Sequence, residues 1–246
     1  MTNRPKRVTL FIQCIIDSCF PDAAWAMVRV LEKQGVELVH PKDQTCCGQP
    51  AFNAGYRQEA ARLAERFLDV FEDAEAIVCP SGSCVNMVRH HYAELFEHQP
   101  RLLARAEAVA AKTWEFTEYL VDVLGVTDVG AFWKGQVTYH DSCHLLRGLG
   151  VADQPRALLR QVRGLELVEM TRSDECCGFG GTFAVKYPEI SEALLETKLA
   201  NVQSTGAETV TGCDMGCLMH MQGMITRRGL PIQVRHIAEI LAGEER

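Results

Sequence analysis

The stretch DECCGFGG, Asp174–Gly181, sets two adjacent cysteines directly before a glycine, and QTCCGQP, Gln44–Pro50, holds the same core 130 residues earlier. Neighbouring Cα atoms lie only about 3.8 Å apart, so chelation of one small ion by both sulfurs of a doublet is strained. A doublet met once is an oddity; met twice, it asks for a repeat. The other cysteines supply it. They form two series, Cys14, Cys46, Cys47, Cys79, Cys84 and Cys143, Cys176, Cys177, Cys213, Cys217, with pairwise offsets of 129, 130, 130, 134 and 133. The offset is domain-sized, which means a duplicated domain rather than a solenoid.

The segments around the cysteines agree. RVTLFIQC and GQVTYHDSC are β-rich and each run into the first cysteine of a half, while AEAIVCPSGSC and AETVTGCDMGC run into the last pair. Between them lie helical patterns. Arg57 to Phe71 is expected to bury Ala60, Leu63, Ala64, Phe67, Leu68 and Phe71. Its counterpart starts at Pro188 and is expected to pack Ile190, Leu194, Leu195 and Leu199. A third helix, Ala157 to Val162, leads into the strand LELVEM.

Alternating strands and helices predict an α/β fold of two Rossmann-like halves, residues 1–125 and 126–246, each with a parallel sheet. A pseudo-twofold axis is expected to relate them, with the thiols gathered near their interface. Leu124 to Gly135 reads as the link, and Arg101 to Leu124 as a longer helical region. In such sheets the ligand lies outside the carboxyl ends of the strands, where this sequence places Cys14, Cys79, Cys143 and Cys213.

Composition narrows the chemistry. The 246 residues are 47% hydrophobic and 23% charged, as in an ordinary globular protein. A formal charge of −7 leaves no electrostatic footprint for a nucleic acid. No apolar run approaches the roughly 20 residues that span a bilayer, so direct membrane insertion is not expected. RPKRVTLFIQC offers only five apolar positions, Val8 to Ile12 with Thr9 counted generously, fewer than a signal peptide's core, and reads as a strand. A cytoplasmic location follows as an expectation. With eleven cysteines, an odd number, and no leader, a disulfide framework fits poorly, and clustered thiols point to metal or redox chemistry.

Three chemistries compete. Structural zinc takes four tetrahedral ligands, and each half offers five cysteines. A vicinal redox disulfide within either doublet demands unusual backbone strain, and redox pairs are ordinarily spaced Cys-x-x-Cys. An iron–sulfur cluster is broad enough for adjacent sulfurs to reach different irons. The glycine behind the doublet favours it, because it permits close backbone approach and frees amide donors for sulfur.

FIQCIIDSCFPDA, CCGQPAFNAGY, CPSGSCVNMVR, YHDSCHLLRGLG, CCGFGGTFAVKYPEIS and KLANVQSTGAETVTGCDMGCLMHMQG cover nearly the whole chain. They resemble the duplicated cysteine-rich, or CCG, domain found in heterodisulfide reductase and in the iron–sulfur subunits of glycolate oxidase and anaerobic glycerol-3-phosphate dehydrogenase. At this chain length they are similar to the lactate utilization protein A family. The resemblance implies an iron–sulfur electron-transfer component of an L-lactate oxidation complex yielding pyruvate. It implies two companions, one a ferredoxin-type iron–sulfur subunit and one smaller. It also implies one or two 4Fe-4S clusters, which are non-cubane in heterodisulfide reductase. The implied ligands are Cys14, Cys46, Cys47, Cys79 and Cys84, then Cys143, Cys176, Cys177, Cys213 and Cys217.

This chain departs from the family's Cys-x-x-Cys ending, having four and three intervening residues instead. Aligning Cys84 with Cys217 sets Cys79 opposite Gly212. The narrower metal set is therefore Cys14, Cys46, Cys47, Cys84, Cys143, Cys176, Cys177 and Cys217. Two other readings stay open: a thiol–disulfide reductase working at a CCG cluster, and a zinc-stabilised interaction module.

Of the remaining candidates, Cys19 has no partner in the second half and reads as a buried small side chain. Asp141 or Ser142 is expected to cap the helix after its strand. His140 and His144 are expected to hydrogen-bond beside the site rather than take part directly. His90 and His91 sit in a helical, solvated stretch. Met215, Met219, Met221 and Met224 read as helical core or a soft partner-facing surface. GFGG lacks the Lys-Ser/Thr ending of a phosphate loop.

Overall fold

Val8, Thr9 and Leu10 are all buried, as β-branched and apolar residues are when both faces of a strand are covered. They belong to β1 (Arg7–Leu10), which pairs in parallel with β2 (Glu37–Val39) on one side and β3 (Ala76–Cys79) on the other; β4 (Thr113–Glu115) follows β3. The computed structural model describes residues 7–245, and the chain divides into two compact units between Gly125 and Val126.

The second unit repeats the plan. Its strands are β5 (Phe132–Tyr139), β6 (Arg163–Leu167), β7 (Thr209–Gly212) and β8 (Gln233–His236). Both sheets are parallel, in the orders β2-β1-β3-β4 and β6-β5-β7-β8. The chain leaves β1 towards β2 and then crosses back to β3, so the order reverses between the two central strands. Such a switch point opens a crevice at the carboxyl edge. Cys14 follows β1 and Cys79 ends β3; Cys143 and Cys213 follow β5 and β7.

The helix Arg57–Phe71 buries Ala60, Ala64, Phe67, Leu68 and Phe71 as its spacing predicts, with Leu63 only half-buried. Phe67 stands edge-on to Phe11 at 4.8 Å, sealing the first unit behind its sheet. In the second unit the helix Pro188–Ser204 buries Leu195, Leu199 and Val202, whereas Ile190 and Leu194 face outward, at 55% and 37% exposure. Its inward stripe is shifted because Ser191 and Lys198 turn in instead.

Two sequence expectations change here. The region Arg101 to Leu124 is not one helix: Pro100–Ala110 ends before β4, and a short helical stretch resumes at Phe116. Three residues, Thr-Trp-Glu, are too few to show a strand period, and only pairing with β3 makes them one. The expected link also ends early, since β5 already begins at Phe132, and β8, like β4, is too short to show a strand period of its own.

Candidate metal centres

In the first unit the thiols are brought together from three loops at the carboxyl edge. Cys14 opens the helix Cys14–Cys19, whose N-cap, Gln13, accepts from the backbone N–H of Ile15. The loop bearing Cys46 and Cys47 is tied to the end of β1 by Gln44, which accepts from Ile12 N–H at 2.8 Å. Cys84 lies in the helix Gly82–Asn86, where Ser81 caps by accepting from the N–H of Cys84. The sulfurs form a linked series: Cys14 to Cys46, Cys46 to Cys47, and Cys47 to Cys84, the last pair at 3.5 Å. Cys79 is fully buried at the end of β3. It shares its surroundings with Tyr92, whose hydroxyl donates to the Cys47 carbonyl at 3.0 Å. That phenol is pushed well up by burial and then by Cys47, Cys84, Cys46 and Cys79.

The second unit builds the same series, Cys143 to Cys176, Cys176 to Cys177, and Cys177 to Cys217. Its doublet loop is anchored by charge rather than by an amide. Asp141 is held by Arg156 through two hydrogen bonds, at 2.9 and 2.7 Å, and accepts from Ser173 at 2.7 Å. The buried Lys198 donates to the carbonyls of Arg172 and Ser173. The Cys213 sulfur meets the Tyr139 hydroxyl at 3.4 Å, and its carbonyl accepts from His236 Nε2 at 3.2 Å.

The electrostatics of the two series match. The first cysteine of each doublet receives hydrogen bonds and becomes the thiolate. Cys46 is lowered to about 3 by Cys14, Cys47 and the Gly48 N–H, and Cys176 to about 2 by Cys143, Cys177 and the Gly178 N–H, against the cost of burial. Their donors Cys14 and Cys143 are pushed up in turn. Cys217 falls to about 6 through Cys177 and, more weakly, His140.

The glycine after each doublet has a defined task. Gly178 donates its N–H to Cys176 Sγ at 3.3 Å. It holds φ +84°, and a side chain there would collide with the carbonyl oxygen of Ser191. Gly48, at φ +87°, is less confined, its nearest neighbour being the Ala60 carbonyl at 3.3 Å.

Sheet pairing settles which outer residues correspond. Cys79 pairs with Glu115 where Gly212 pairs with His236, so Cys79 and Gly212 share one position and Cys213 stands one residue further on. His140 lies at the same carboxyl edge, one residue past β5. It is 1% exposed, its ring nitrogens have no hydrogen-bond partner among the described residues, and it forms a set with Cys177 and Cys217 whose ligand atoms all lie within 4.8 Å. Its signal was its place, one residue past a central strand.

Other expectations also shift. Cys19 is exposed rather than buried. Asp141 binds Arg156, and Ser142 donates to Asp214, so neither side chain is spent as a cap. Met215, Met221 and Met224 are core. None of the eleven cysteines is in a disulfide among the described residues, and no helix among them is long and apolar enough to cross a membrane.

A family model for the cysteine-rich domain, CCG, matches the chain twice, at residues 8–89 and 137–222. Lactate utilization protein A of Oceanobacillus iheyensis is 47% identical over 235 residues, covering 96% of each chain. That of an Exiguobacterium species is 48% identical over 236 residues, covering 95% of this chain and 96% of the relative. Among solved structures, a hypothetical protein from Helicobacter pylori superposes with a TM-score of 0.66 at 11% identity. That match covers 99% of this chain and 50% of the other, and it speaks for the fold alone.

Proposed function

The chain belongs to the cysteine-rich CCG domain family and, within it, to the lactate utilization protein A family; on that premise we propose that it serves lactate utilization as the iron–sulfur electron-transfer component of a complex oxidising L-lactate to pyruvate. It would work in the cytoplasm with two companions, a ferredoxin-type iron–sulfur subunit and a smaller one.

The observation that carries this reading is the linked series of four thiols in each unit, fed by a glycine N–H. Four soft donors that include an adjacent pair suit a broad cluster better than one tetrahedral ion. The residues fit such a group chemically. Cys46 and Cys176 are already poised as thiolates, the form in which cysteine binds metal. Gly178 leaves a peptide N–H directed at sulfur, the kind of contact that tunes cluster potential. Cys14, Cys46, Cys47 and Cys84 would hold one centre, and Cys143, Cys176, Cys177 and Cys217 the other. Cys79 and Cys213 complete the family's set of five. An iron–sulfur cluster supplies one-electron exchange. Each lactate oxidised releases two electrons and two protons, so the chain passes electrons onward to a partner.

Anaerobic purification tests this. The expected result is brown protein with matching iron and acid-labile sulfide, reduced when lactate and the companions are supplied. Colourless protein that takes up zinc but no iron on reconstitution would sink it. Turnover of small disulfides by the isolated chain, without companions, would favour a thiol–disulfide reductase instead.

A further inference from the structure

Phe11 and His140 stand in equivalent places, and the contrast between them bears on the donor set. Each is the first residue past the central strand of its sheet. The N–H of Phe11 donates to the Val78 carbonyl at 2.9 Å, and that of His140 to the Thr211 carbonyl at 2.8 Å. The first unit fills this place with an apolar ring packed on Phe67, so the fold itself asks for nothing polar there. The second unit buries an imidazole instead, 1% exposed, with neither ring nitrogen hydrogen-bonded among the described residues. Buried polar groups left in that state are rare and call for a specific explanation such as an ion. The explanation is adjacent: His140 and the sulfurs of Cys177 and Cys217 lie within 4.8 Å of one another. Imidazole nitrogen and thiolate sulfur both ligate iron, and histidine replaces cysteine in some clusters.

We propose that His140 is a nitrogen ligand of the second unit's metal centre, so that the chain holds two unlike centres, the first bound by thiolates alone and the second by thiolates and an imidazole. The inference rests on the iron–sulfur reading above. Exchanging a thiolate for a neutral imidazole reduces the negative charge on a centre and raises its potential. With an imidazole in place of one thiolate, the second centre would therefore take up an electron at a higher potential than the first.

The test uses full-length protein, reconstituted anaerobically with iron and sulfide after growth on histidine labelled with nitrogen-15 in the ring. Pulsed EPR is recorded in whichever oxidation state is paramagnetic. The expected result is a strong hyperfine coupling that changes with the isotope and is lost in His140→Phe. A redox titration should show two steps in wild type, and in His140→Cys the higher step should move down towards the lower. Bound iron and sulfide without histidine coupling, or coupling that persists in His140→Phe, would overturn this inference and leave the iron–sulfur reading standing. Failure to bind iron would overturn both. Where His140→Phe folds poorly, His140→Asn carries the same readout, because loss of the coupling there assigns it to this ring rather than to His144, which lies 3.7 Å from the Cys143 sulfur.

Discussion

Phe11 and His140 occupy the same station, each bonded through its backbone N–H to the residue before the end of the neighbouring strand, Val78 in one unit and Thr211 in the other. One station thus holds an aromatic seal in the first unit and, in the second, a buried imidazole whose ring nitrogens make no geometric hydrogen bond among the described residues. In the metal-free protein that imidazole is a burden. His140→Phe is expected to raise the unfolding free energy of metal-free protein by about 1–3 kcal/mol, the usual penalty of an unsatisfied buried group. Urea unfolding under reducing conditions measures it. A loss of stability would mean that the ring is well satisfied without metal.

The two doublet glycines differ in how tightly they are held. Gly178→Ala and Gly48→Ala share the cost of a left-handed backbone, about 1–2 kcal/mol. Only the first also drives a methyl group into a carbonyl oxygen, that of Ser191. Gly178→Ala should therefore lose more stability, and more iron from its unit, than Gly48→Ala. Equal losses in thermal unfolding and iron content would refute the distinction.

Thiol reactivity should follow the hydrogen bonds. With Cys176 lowered to about 2 and Cys46 to about 3, both are thiolates at pH 6, while Cys14 and Cys143 remain protonated. Brief iodoacetamide treatment of metal-free protein at that pH should label Cys176 and Cys46 ahead of Cys14 and Cys143. Peptide mapping reads the order, and the reverse order would contradict the assigned donors and acceptors.

Asp141 and Arg156 form a largely buried ion pair, with side chains 5% and 13% exposed. Removing one partner from such a pair costs about 3–5 kcal/mol. Asp141→Asn should fall at the low end, because Glu169 still faces Arg156 at 2.9 Å. Burial opposes ionisation of Asp141, yet Arg156 and Ser173 hold its carboxyl below the usual range. A lowered carboxyl stabilises the fold above its unfolded value, about 3.9, and loses that contribution as pH falls through the folded one. The gap between wild type and Asp141→Asn should be full at pH 7 and shrink below about pH 4. A gap independent of pH would argue against the ion pair.

Much of this was legible in the residues. The offset between Cys46 and Cys176 marks a duplication, and RVTLFIQC and AEAIVCPSGSC show their strands because central parallel strands are apolar on both faces. Edge strands are not so marked. Thr113–Glu115 and Gln233–His236 are three and four residues long, and neither shows a period until its neighbour pairs with it. Ile190 and Leu194 misled for a related reason, since helical spacing says which residues share a face but not which face turns inward.

The sequence by itself determined the parallel α/β class, the repeat and the thiols at the carboxyl ends of central strands, because these follow from spacing along the chain and from local apolar pattern. Only the tertiary structure decided that Cys79 corresponds to Gly212, that Cys213 meets Tyr139, and that His140 stands beside Cys177 and Cys217. Those relations depend on sheet register and on loops meeting through space, and no distance counted along the chain contains them.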